Sequence, residues 1–472
     1  MTNLADLSLA DAVIHARNGG SAALLEACLA RLDAVNRNIN ATIWVDREAA
    51  RAAAGLADKA TITGALHGIP LAHKDMYYQA GRRCTCGSAI RRDFVPDVTA
   101  TVIERLSKAG SYAFAGLNMA EFAMNPTGQN KAFGDCRNPW NSDYITGGSS
   151  SGSGAAVASG ITYASLGSDT GGSIRLPASA CGVTGLKPTQ TRVSRYGVMP
   201  LSFSADNVGP LARSTRDCAL VLQAIAGIDS KDPTSADEPV PDYGAALTGD
   251  VKGLRIGIPS GALMDNADPA IQAAVEQACA VLAANGAIVR RIDVPLMDAV
   301  WAYVGIISRV EGAAIHGRWM RERPQDYAPH LAARLYSGSA VPATYYIEAL
   351  SRRGPILRRF AAEVFGEVDV LAMPTIPMAL PTRASVDIDV YAAGGGDEGT
   401  VARFNAISVN TRPFNYLGLP ALSVPCGVDP NGLPIGLQLV ARPFAEPLLL
   451  RTGDAYQRLS DWHTRRPFRF GA

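Results

Sequence analysis

The sequence predicts an α/β fold with a central mixed twisted sheet covered on both faces by helices. Short apolar runs of strand length alternate with amphipathic segments of helix length along the chain. Hydrophobic residues make up 47% of the 472 residues and charged residues 18%, so a large core is available. Strands that alternate with helices form layered sheets, because each helix buries its apolar stripe against a sheet face.

The first sixty residues are predicted to form two helices. Ser8 and Asp11 have the spacing of a capping box, and Gly19-Gly20 would end the helix that they begin. A second helix is predicted from Ser21, because apolar residues recur on one stripe of a 3.6-residue period. The residues on this stripe are Leu24, Leu25, Cys28, Leu29, Leu32 and Val35.

Further along, apolar runs predict the strands of the sheet. Residues 68–72 begin a buried strand that carries Lys74, and a helix at 100–109 precedes a strand at 112–117. Later strands are predicted at 253–258, 287–294, 368–373, 421–424 and 435–440, with a helix at 269–284. The last two strands flank Asp429-Pro430-Asn431-Gly432, where Asn-Gly tolerates the positive φ values of a hairpin turn.

The chain is predicted to be a single domain of residues 1–472. N-terminal helices occupy about 1–60, a core about 64–225, a variable middle about 230–365, and a closing segment about 366–472. Residues 227–248, rich in Asp, Pro and Ser, are the predicted hinge before the middle part. The glycine-rich residues 392–399 are predicted to form a mobile surface loop that could act as a lid.

Charge and hydropathy exclude several function classes. Lys and Arg number 44 against 43 Asp and Glu, so the basic excess of a nucleic-acid surface is missing. No run approaches the ~18 apolar residues of a membrane-spanning helix. No basic stretch followed by an apolar run opens the chain, so a secretory signal is not expected. The sequence therefore predicts a cytoplasmic protein without a nucleic-acid or membrane partner, and leaves a homodimer open.

The eight cysteines are scattered among apolar and small residues, as expected for reduced thiols in a core. Cys84 and Cys86 are the only close pair, and no second pair or nearby histidine completes a zinc site. We predict no metal site.

Two glycine- and serine-rich segments are the most informative part of the chain. Residues 146–154 offer hydroxyl nucleophiles, and residues 167–175 contain a Gly-Gly-Ser turn whose amides could hold an oxyanion. A linker is disfavoured by the apolar residues on either side, and the glycine spacing does not match a phosphate loop. Acyl transfer through a serine ester is therefore favoured.

A serine nucleophile needs a base, and two sources are open. Ser150 lies at the centre of a Gly-x-Ser-x-Gly pattern, but the preceding segment is polar and no later histidine has a suitable context. Lys74 follows an apolar run, and burial would lower its pKa and make the neutral amine a base. The competing interpretation is a surface lysine paired with Asp75; spacing alone does not decide between them.

The residues around these groups resemble the amidase signature family. The densest match covers about residues 64–225. The matching motifs are Gly68-Ile69-Pro70 with Lys74-Asp75, Gly116–Phe122, Thr146–Gly152, Gly167–Pro177, Cys181–Thr189 and Gly418–Pro425. The nearest well-known relative is the glutamine-hydrolysing chain of the tRNA-dependent amidotransferase. The resemblance implies the amidase-signature α/β fold and amide hydrolysis without a metal or organic cofactor.

Carried over by position, the family's serine–cis-serine–lysine triad falls on Ser173 as nucleophile, Ser149 as bridging serine and Lys74 as base. The resemblance implies a cis peptide between Gly148 and Ser149. It places the oxyanion hole on the amides of residues 170–173, which are Thr170, Gly171, Gly172 and Ser173.

The expected function is hydrolysis of a small amide, including aryl acylamides and carbamates, through an acyl-enzyme on Ser173. One alternative is the glutamine-hydrolysing subunit of a tRNA-dependent amidotransferase, although Asn125–Asn130 differs from the Ser-Thr-Glu pattern expected there. The other alternative is a non-catalytic ligand-binding relative, which the intact triad disfavours.

Substrate contacts are expected near the triad. The candidate substrate-binding residues are Tyr77, Met119, Phe122, Met124, Asn125 and Gly148, with Trp301, Tyr303, Trp319 and Tyr327 as further candidates. Several of these are apolar or aromatic, so an apolar or aromatic substrate is expected.

Two further features concern charged and titratable residues. His73 stands where the family usually has Val or Ile, and a hydrogen-bonded core histidine is favoured over a role in tuning Lys74. A cluster of arginines could meet an acidic substrate, but a solvated helix face is favoured. These arginines are Arg352, Arg353, Arg358 and Arg359.

Overall fold

The structure is a computed structural model that describes residues 3–62 and 64–467. Eleven strands lie in these residues. They are β1 (Thr42–Val45), β2 (Pro70–Lys74), β3 (Tyr112–Leu117), β4 (Ala164–Asp169), β5 (Thr184–Lys187), β6 (Asn207–Ala212), β7 (Arg255–Pro259), β8 (Ile288–Ile292), β9 (Val370–Pro374), β10 (Ala421–Val428) and β11 (Pro434–Val440).

Eight of the strands form one mixed sheet in the order β4-β6-β5-β10-β11-β9-β7-β8. Pairing is antiparallel from β4 to β9 and parallel from β9 through β7 to β8. Every residue of β4, β5, β6, β9 and β11 is buried. Because successive side chains point to opposite faces, complete burial means that both faces are covered. The predicted α/β fold is confirmed.

Lys74 does not lie in the central sheet. Its strand, β2, pairs in parallel with β3, which pairs antiparallel with β1, in a separate sheet of three strands. Strand β2 still packs beside β4 of the large sheet. The sequence predicted the strand but not the second sheet, because pairing partners depend on tertiary contacts that apolar periodicity does not encode.

Helices make up the layers around the two sheets. Within the described residues they are α1 (Leu9–His15), α2 (Ser21–Ile39), α3 (Arg47–Ala57), α4 (Thr101–Lys108), α5 (Ser151–Ser159), α6 (Arg175–Cys181), α7 (Thr215–Ile225), α8 (Pro269–Ala284), α9 (Met297–Glu322), α10 (Pro329–Ser339), α11 (Ala343–Glu363), α12 (Ile388–Ala392), α13 (Thr400–Ala406), α14 (Arg412–Tyr416) and α15 (Glu446–Arg458). None of them has the length and apolar character needed to cross a bilayer, in the part of the chain that is described.

Local sequence signals account for several helix ends. The Ser8 hydroxyl accepts the Asp11 amide at 3.1 Å and donates to its carboxylate at 2.6 Å, which is the predicted cap of α1. Gly19, with φ of 78°, lies in the break between α1 and α2. The stripe predicted on α2 is buried along its length. Helix α8 has the predicted bounds and begins with a proline in its first turn, where no amide hydrogen is needed.

The predicted hairpin at the end of the chain forms between β10 and β11. Its loop is longer than a two-residue turn, and only Gly432 among the two Asn-Gly residues has a positive φ, of 78°. The Asp429 carboxylate closes the loop by accepting the amides of Asn431 and Leu433. An aspartate that caps its own loop replaces the Asn-Gly geometry that the sequence suggested.

The middle of the chain contributes to the same sheet as the core. Strands β7 and β8 extend the central sheet beyond β9. A second apolar cluster lies between α9, α11 and β9, and its largest buried side chains include Phe360, Phe365 and Phe414. This packing sets α9 and α10 beside the loop that follows β4, where the serines of the next section lie.

Candidate active site

Lys74 is the last residue of β2, and its side chain is buried, with 1% of its surface exposed. Its ammonium donates to the Ser149 hydroxyl at 2.7 Å and to the Ser168 hydroxyl at 2.8 Å. The Asp75 carboxylate instead accepts the Trp44 indole at 3.0 Å and the Thr85 amide at 2.9 Å. The surface pair of Lys74 with Asp75 is therefore excluded.

Burial changes the protonation of Lys74. Removal from water lowers the pKa of its amine from 10.5 to about 7, although the carboxylates of Asp169 and Asp206 act in the opposite direction. A large fraction of the amine is then neutral near pH 7 and has a lone pair that can accept a proton from a hydroxyl.

His73 points away from Lys74, as neighbours on a strand do. Its Nδ1 accepts the amide of Leu166 at 3.1 Å, and burial lowers the pKa of the imidazole to about 3. The ring is therefore neutral and structural at ordinary pH. This is the hydrogen-bonded core histidine that the sequence favoured.

Ser149 precedes α5 in a tightly packed loop. The peptide bond between Gly148 and Ser149 is cis, as the resemblance implied. A Cβ at position 148 would lie 2.4 Å from the carbonyl oxygen of Asn125, so only glycine fits there. The carbonyl of Ser149 accepts the Ala120 amide at 3.0 Å, which fixes the loop on the other side.

Ser173 lies at the edge of a cavity and is 9% exposed. Its carbonyl accepts the amide of Ser150 at 3.3 Å, so the segments that carry Ser149 and Ser173 are joined through the backbone. Among the described residues no hydrogen bond joins the two hydroxyl groups. The structure thus forms the link from Lys74 to Ser149 and leaves the Ser173 hydroxyl facing the cavity.

Ser150 cannot serve as a nucleophile elbow in this conformation. Its side chain is fully buried, and its hydroxyl donates to the carbonyl of Ser168 at 3.3 Å. The Gly-x-Ser-x-Gly match is a property of a packed turn rather than of an exposed nucleophile.

The amides of residues 170–173 are not equivalent. Gly172, with φ of 129°, donates its amide hydrogen to the Asp169 carboxylate at 2.7 Å. Over residues 3–62 and 64–467, no acceptor takes the amides of Thr170, Gly171 or Ser173. The resemblance placed all four amides in the oxyanion hole. Gly172 departs from that, because a buried carboxylate requires donors and takes this one.

Asp169 and Arg175 hold this loop from inside the protein. Both are fully buried, and the guanidinium binds the carboxylate through two nitrogens at 2.9 Å. Arg175 also donates to Gln438 at 2.7 Å and to Asn415 at 2.6 Å. Burial alone would raise the pKa of Asp169, but Arg175 holds it well below its usual range. The loop is therefore anchored to the closing segment of the chain.

The cavity at Ser173 has a volume of about 90 Å³. That is room for roughly six ordered waters, so it suits a small molecule. Of the predicted substrate-binding residues, Met124 and Asn125 line it. Phe404 and Asn405 of α13, which follows the glycine-rich loop 392–399, form part of its wall.

The other predicted pocket residues lie elsewhere. Tyr77 is buried and donates its hydroxyl to the carbonyl of Gly167 at 2.7 Å. Met119 is fully buried, and Gly148 is packed beneath the cavity wall. Phe122 stacks on Trp319, with ring centroids 5.5 Å apart. These side chains build the floor of the site rather than its surface, which is the more common fate of aromatic and methionine residues.

The further aromatic candidates also lie outside the cavity. Tyr327 donates or accepts at His316, 2.8 Å away, within the cluster around Phe122. Tyr303 stacks on Tyr416, and Trp301 donates its indole to the carbonyl of Val409. Spacing along the chain does not indicate which way the side chains of α9 point.

The cavity has charged residues that the sequence did not single out. Arg309, Arg334 and Arg412 line it, from α9, α10 and α14. Ser168, the second hydroxyl at Lys74, was also missed, although it lies within the recognised Gly-Ser-Asp motif. The arginines come from three separate elements, so no local pattern announces them.

The arginines considered from the sequence behave differently from those in the cavity. Arg352, Arg358 and Arg359 are exposed on α11, and Arg359 pairs with Glu363 at 2.6 Å. Arg353 is not solvated, because its guanidinium donates to the carbonyl of Ser204 at 2.6 Å. The expectation of a solvated face fails for Arg353 alone, since it turns towards the core.

The cysteine pair forms no metal site. Cys84 and Cys86 are buried with sulfur atoms 4.0 Å apart. Within the described ranges no cluster of His, Cys, Asp or Glu has the geometry to hold a metal ion.

Known proteins resemble the whole chain. A family model described as Amidase matches residues 23–450. The A chain of the glutamyl-tRNA(Gln) amidotransferase of Roseiflexus sp. (strain RS-1) is 43% identical, with 99% of each chain covered. Other curated relatives carry the same description.

Solved structures widen the range of substrates. A 6-aminohexanoate cyclic dimer hydrolase complexed with substrate is 28% identical, with 98% of this chain and 99% of that chain covered and a TM-score of 0.89. The peptide amidase from Stenotrophomonas maltophilia is 30% identical over the same shares of the two chains, with a TM-score of 0.84. The same fold thus serves enzymes described by different substrates.

Proposed function

The chain belongs to the amidase family, and we propose that it hydrolyses the C–N bond of a small amide through an acyl-enzyme on Ser173. The observation that carries this proposal is the buried Lys74 amine, 2.7 Å from the Ser149 hydroxyl, beside a cavity into which Ser173 opens. A non-catalytic relative would not need a lysine that burial renders neutral at a hydroxyl.

Proton transfer in this proposal runs from Ser173 through Ser149 to Lys74. The neutral amine takes the Ser149 proton, and Ser149 takes the proton of Ser173 as its oxygen attacks the substrate carbonyl. The position of Ser149 in the relay comes from the resemblance. It is supported by the Lys74 hydrogen bond and by the backbone link between residues 150 and 173.

The tetrahedral intermediate carries its negative charge towards the amides of Thr170, Gly171 and Ser173, which have no other acceptor among the described residues. The C–N bond then breaks, and the leaving nitrogen takes the proton that Lys74 holds, returned through Ser149. Water attacks the acyl-enzyme with the same groups in reverse order. The products are a carboxylic acid and ammonia or an amine, and the steps require no cofactor.

Two biological settings fit this chemistry. The descriptions of the curated relatives favour a glutamine-hydrolysing subunit that delivers ammonia within a tRNA-dependent amidotransferase, which would require a protein partner. They support this setting better than the stand-alone small-amide hydrolase expected first from the sequence. The cavity favours the stand-alone enzyme, because no acidic side chain among its described lining residues could pair with the ammonium of glutamine.

Hydrolysis assays on the purified chain test the proposal. Wild-type protein should release ammonia or amine from at least one of glutamine, a short aliphatic amide, an anilide and a carbamate, and Ser173→Ala should release none. Ser150→Ala is the matched control, because Ser150 is buried and bonded away from the cavity. Equal activity of Ser173→Ala and wild type would contradict the proposal. Ammonia release from glutamine alone, and only with a copurifying protein, would select the amidotransferase setting.

A further inference from the structure

Three arginines at the cavity lack the acceptors that other guanidinium groups in this protein have. Arg309 and Arg412 make no side-chain hydrogen bond or ion pair within the described ranges. Arg334 donates only to the Ser308 hydroxyl, at 3.1 Å, and its Nε is buried without a partner. By contrast, buried Arg175 binds the Asp169 carboxylate and two amide oxygens.

The three positive charges also act on one another. Burial lowers the pKa of Arg334 to about 9, and the charges of Arg412 and Arg309 lower it further. Burial and the charge of Arg309 lower the pKa of Arg412 to about 10. Charges that are removed from water without a counter-charge are unfavourable, and a bound anion relieves both the desolvation and the mutual repulsion.

No negative side chain balances this group at the cavity. Among the described residues that line it there is neither aspartate nor glutamate. The nearby Asp206 carboxylate already accepts the Thr170 hydroxyl and the amides of Leu201 and Ser202. An ammonium group placed in the cavity would therefore meet three guanidinium groups and no free carboxylate.

We infer that the cavity selects a small amide that carries a carboxylate and no ammonium group, with Arg309, Arg334 and Arg412 binding the carboxylate. The inference rests on the proposed function, since the amide must reach Ser173 in the same cavity. Guanidinium groups suit this role because they form paired hydrogen bonds with the two carboxylate oxygens. The aromatic substrate expected from the sequence is not supported, because the predicted aromatic residues lie outside the cavity.

Three amides of matched length test this selectivity. The monoamide of glutaric acid has the required carboxylate, pentanamide replaces that carboxylate with a methyl group, and glutamine adds an ammonium. We expect kcat/KM for the monoamide to exceed that for pentanamide at least about 30-fold, as for a desolvated charge pair. We expect it to exceed that for glutamine at least about tenfold. Equal values for the monoamide and pentanamide, or a preference for glutamine, would overturn the inference.

Variants assign the preference to the arginines. In Arg334→Gln and Arg412→Gln, the ratio of monoamide to pentanamide activity should each fall at least about tenfold, and Arg334→Lys should recover part of it. Arg352→Gln, on the exposed face of α11, should keep the wild-type ratio. An unchanged ratio in folded Arg334→Gln and Arg412→Gln would overturn the assignment.

Binding separates this inference from the proposed reaction. In Ser173→Ala, the monoamide should raise the melting temperature by mass action, whereas pentanamide at the same concentration should not. If wild type hydrolyses none of the amides but this shift is seen, the proposed reaction fails and the anion site stands. If hydrolysis depends on Ser173 but neither the shift nor the rate preference is seen, the reaction stands and the anion site fails.

Discussion

Lys74 and Lys187 are two fully buried lysines, and each is the last residue of a strand. Burial lowers the pKa of each amine to about 7. Lys74 donates to two serine hydroxyls, whereas Lys187 donates to the carbonyl of Pro188 at 2.8 Å. A depressed pKa is thus a consequence of packing in both regions. Only the hydroxyl partners, and a cavity beside them, make one of these amines a candidate base.

Replacing the two lysines should separate their roles most strongly. Lys74→Met removes the proposed base, so kcat should fall by about 10²–10⁴-fold at constant folded fraction. Lys187→Met removes a buried amine that touches no serine, so kcat should stay within about tenfold of wild type. Steady-state kinetics on whichever amide proves active measures both. Similar losses in the two variants would show that burial alone explains the importance of Lys74.

A second contrast lies between the buried ion pair under the serine loop and an exposed pair on a helix. Arg175→Met leaves the Asp169 carboxylate buried and unpaired, and the free energy of unfolding should fall by about 3–5 kcal/mol. Arg359→Gln removes the exposed pair with Glu363 and should change it by less than about 1 kcal/mol. Urea unfolding measures both. A small effect of Arg175→Met would mean that the loop is held by other contacts.

The acid limb of activity should report Lys74 rather than Lys187. Protonation of Lys74 removes the lone pair, so kcat/KM should fall about tenfold for each pH unit below about 7. Lys187→Met should show the same profile. A rate that stays constant down to pH 5 would rule out a neutral lysine as the base.

The smallest expected effect is on the pH dependence of stability, where the two lysines should act alike. In the unfolded chain each amine has a pKa of 10.5, against about 7 in the fold. Above pH 7 the unfolded state therefore binds the extra proton, and stability rises with pH by about 1.4 kcal/mol per unit and lysine. Between pH 7.5 and 8.5, Lys74→Met and Lys187→Met should each flatten this slope. An unchanged slope in either variant would contradict the burial of that amine.

Much of the fold could be predicted because its signals are local. Helix α8 and strand β3 have the predicted bounds, and the Ser8 cap forms as expected. The apolar run before Lys74 predicted a buried strand. The separate sheet that contains this strand could not be predicted, since its pairing with β3 depends on distant residues.

The candidate site shows the same division. The motifs located Lys74, Ser149 and Ser173, and the structure brings the first two into hydrogen-bonding distance. Side-chain direction is not encoded in a motif, so Phe122 and Tyr77 were expected at the cavity and instead pack beneath it. The cavity arginines come from three helices and meet only in the folded chain.

The central claim is that Lys74 activates Ser173, and covalent labelling tests it most directly. The wild-type protein, Lys74→Met and Lys187→Met would be treated with a sulfonyl fluoride and digested, and the modified serine located by mass spectrometry. We predict modification of Ser173 in the wild type and in Lys187→Met, slowing below about pH 7, and little or none in Lys74→Met. Modification of another serine, or of Ser173 in Lys74→Met at the wild-type rate, would contradict the claim.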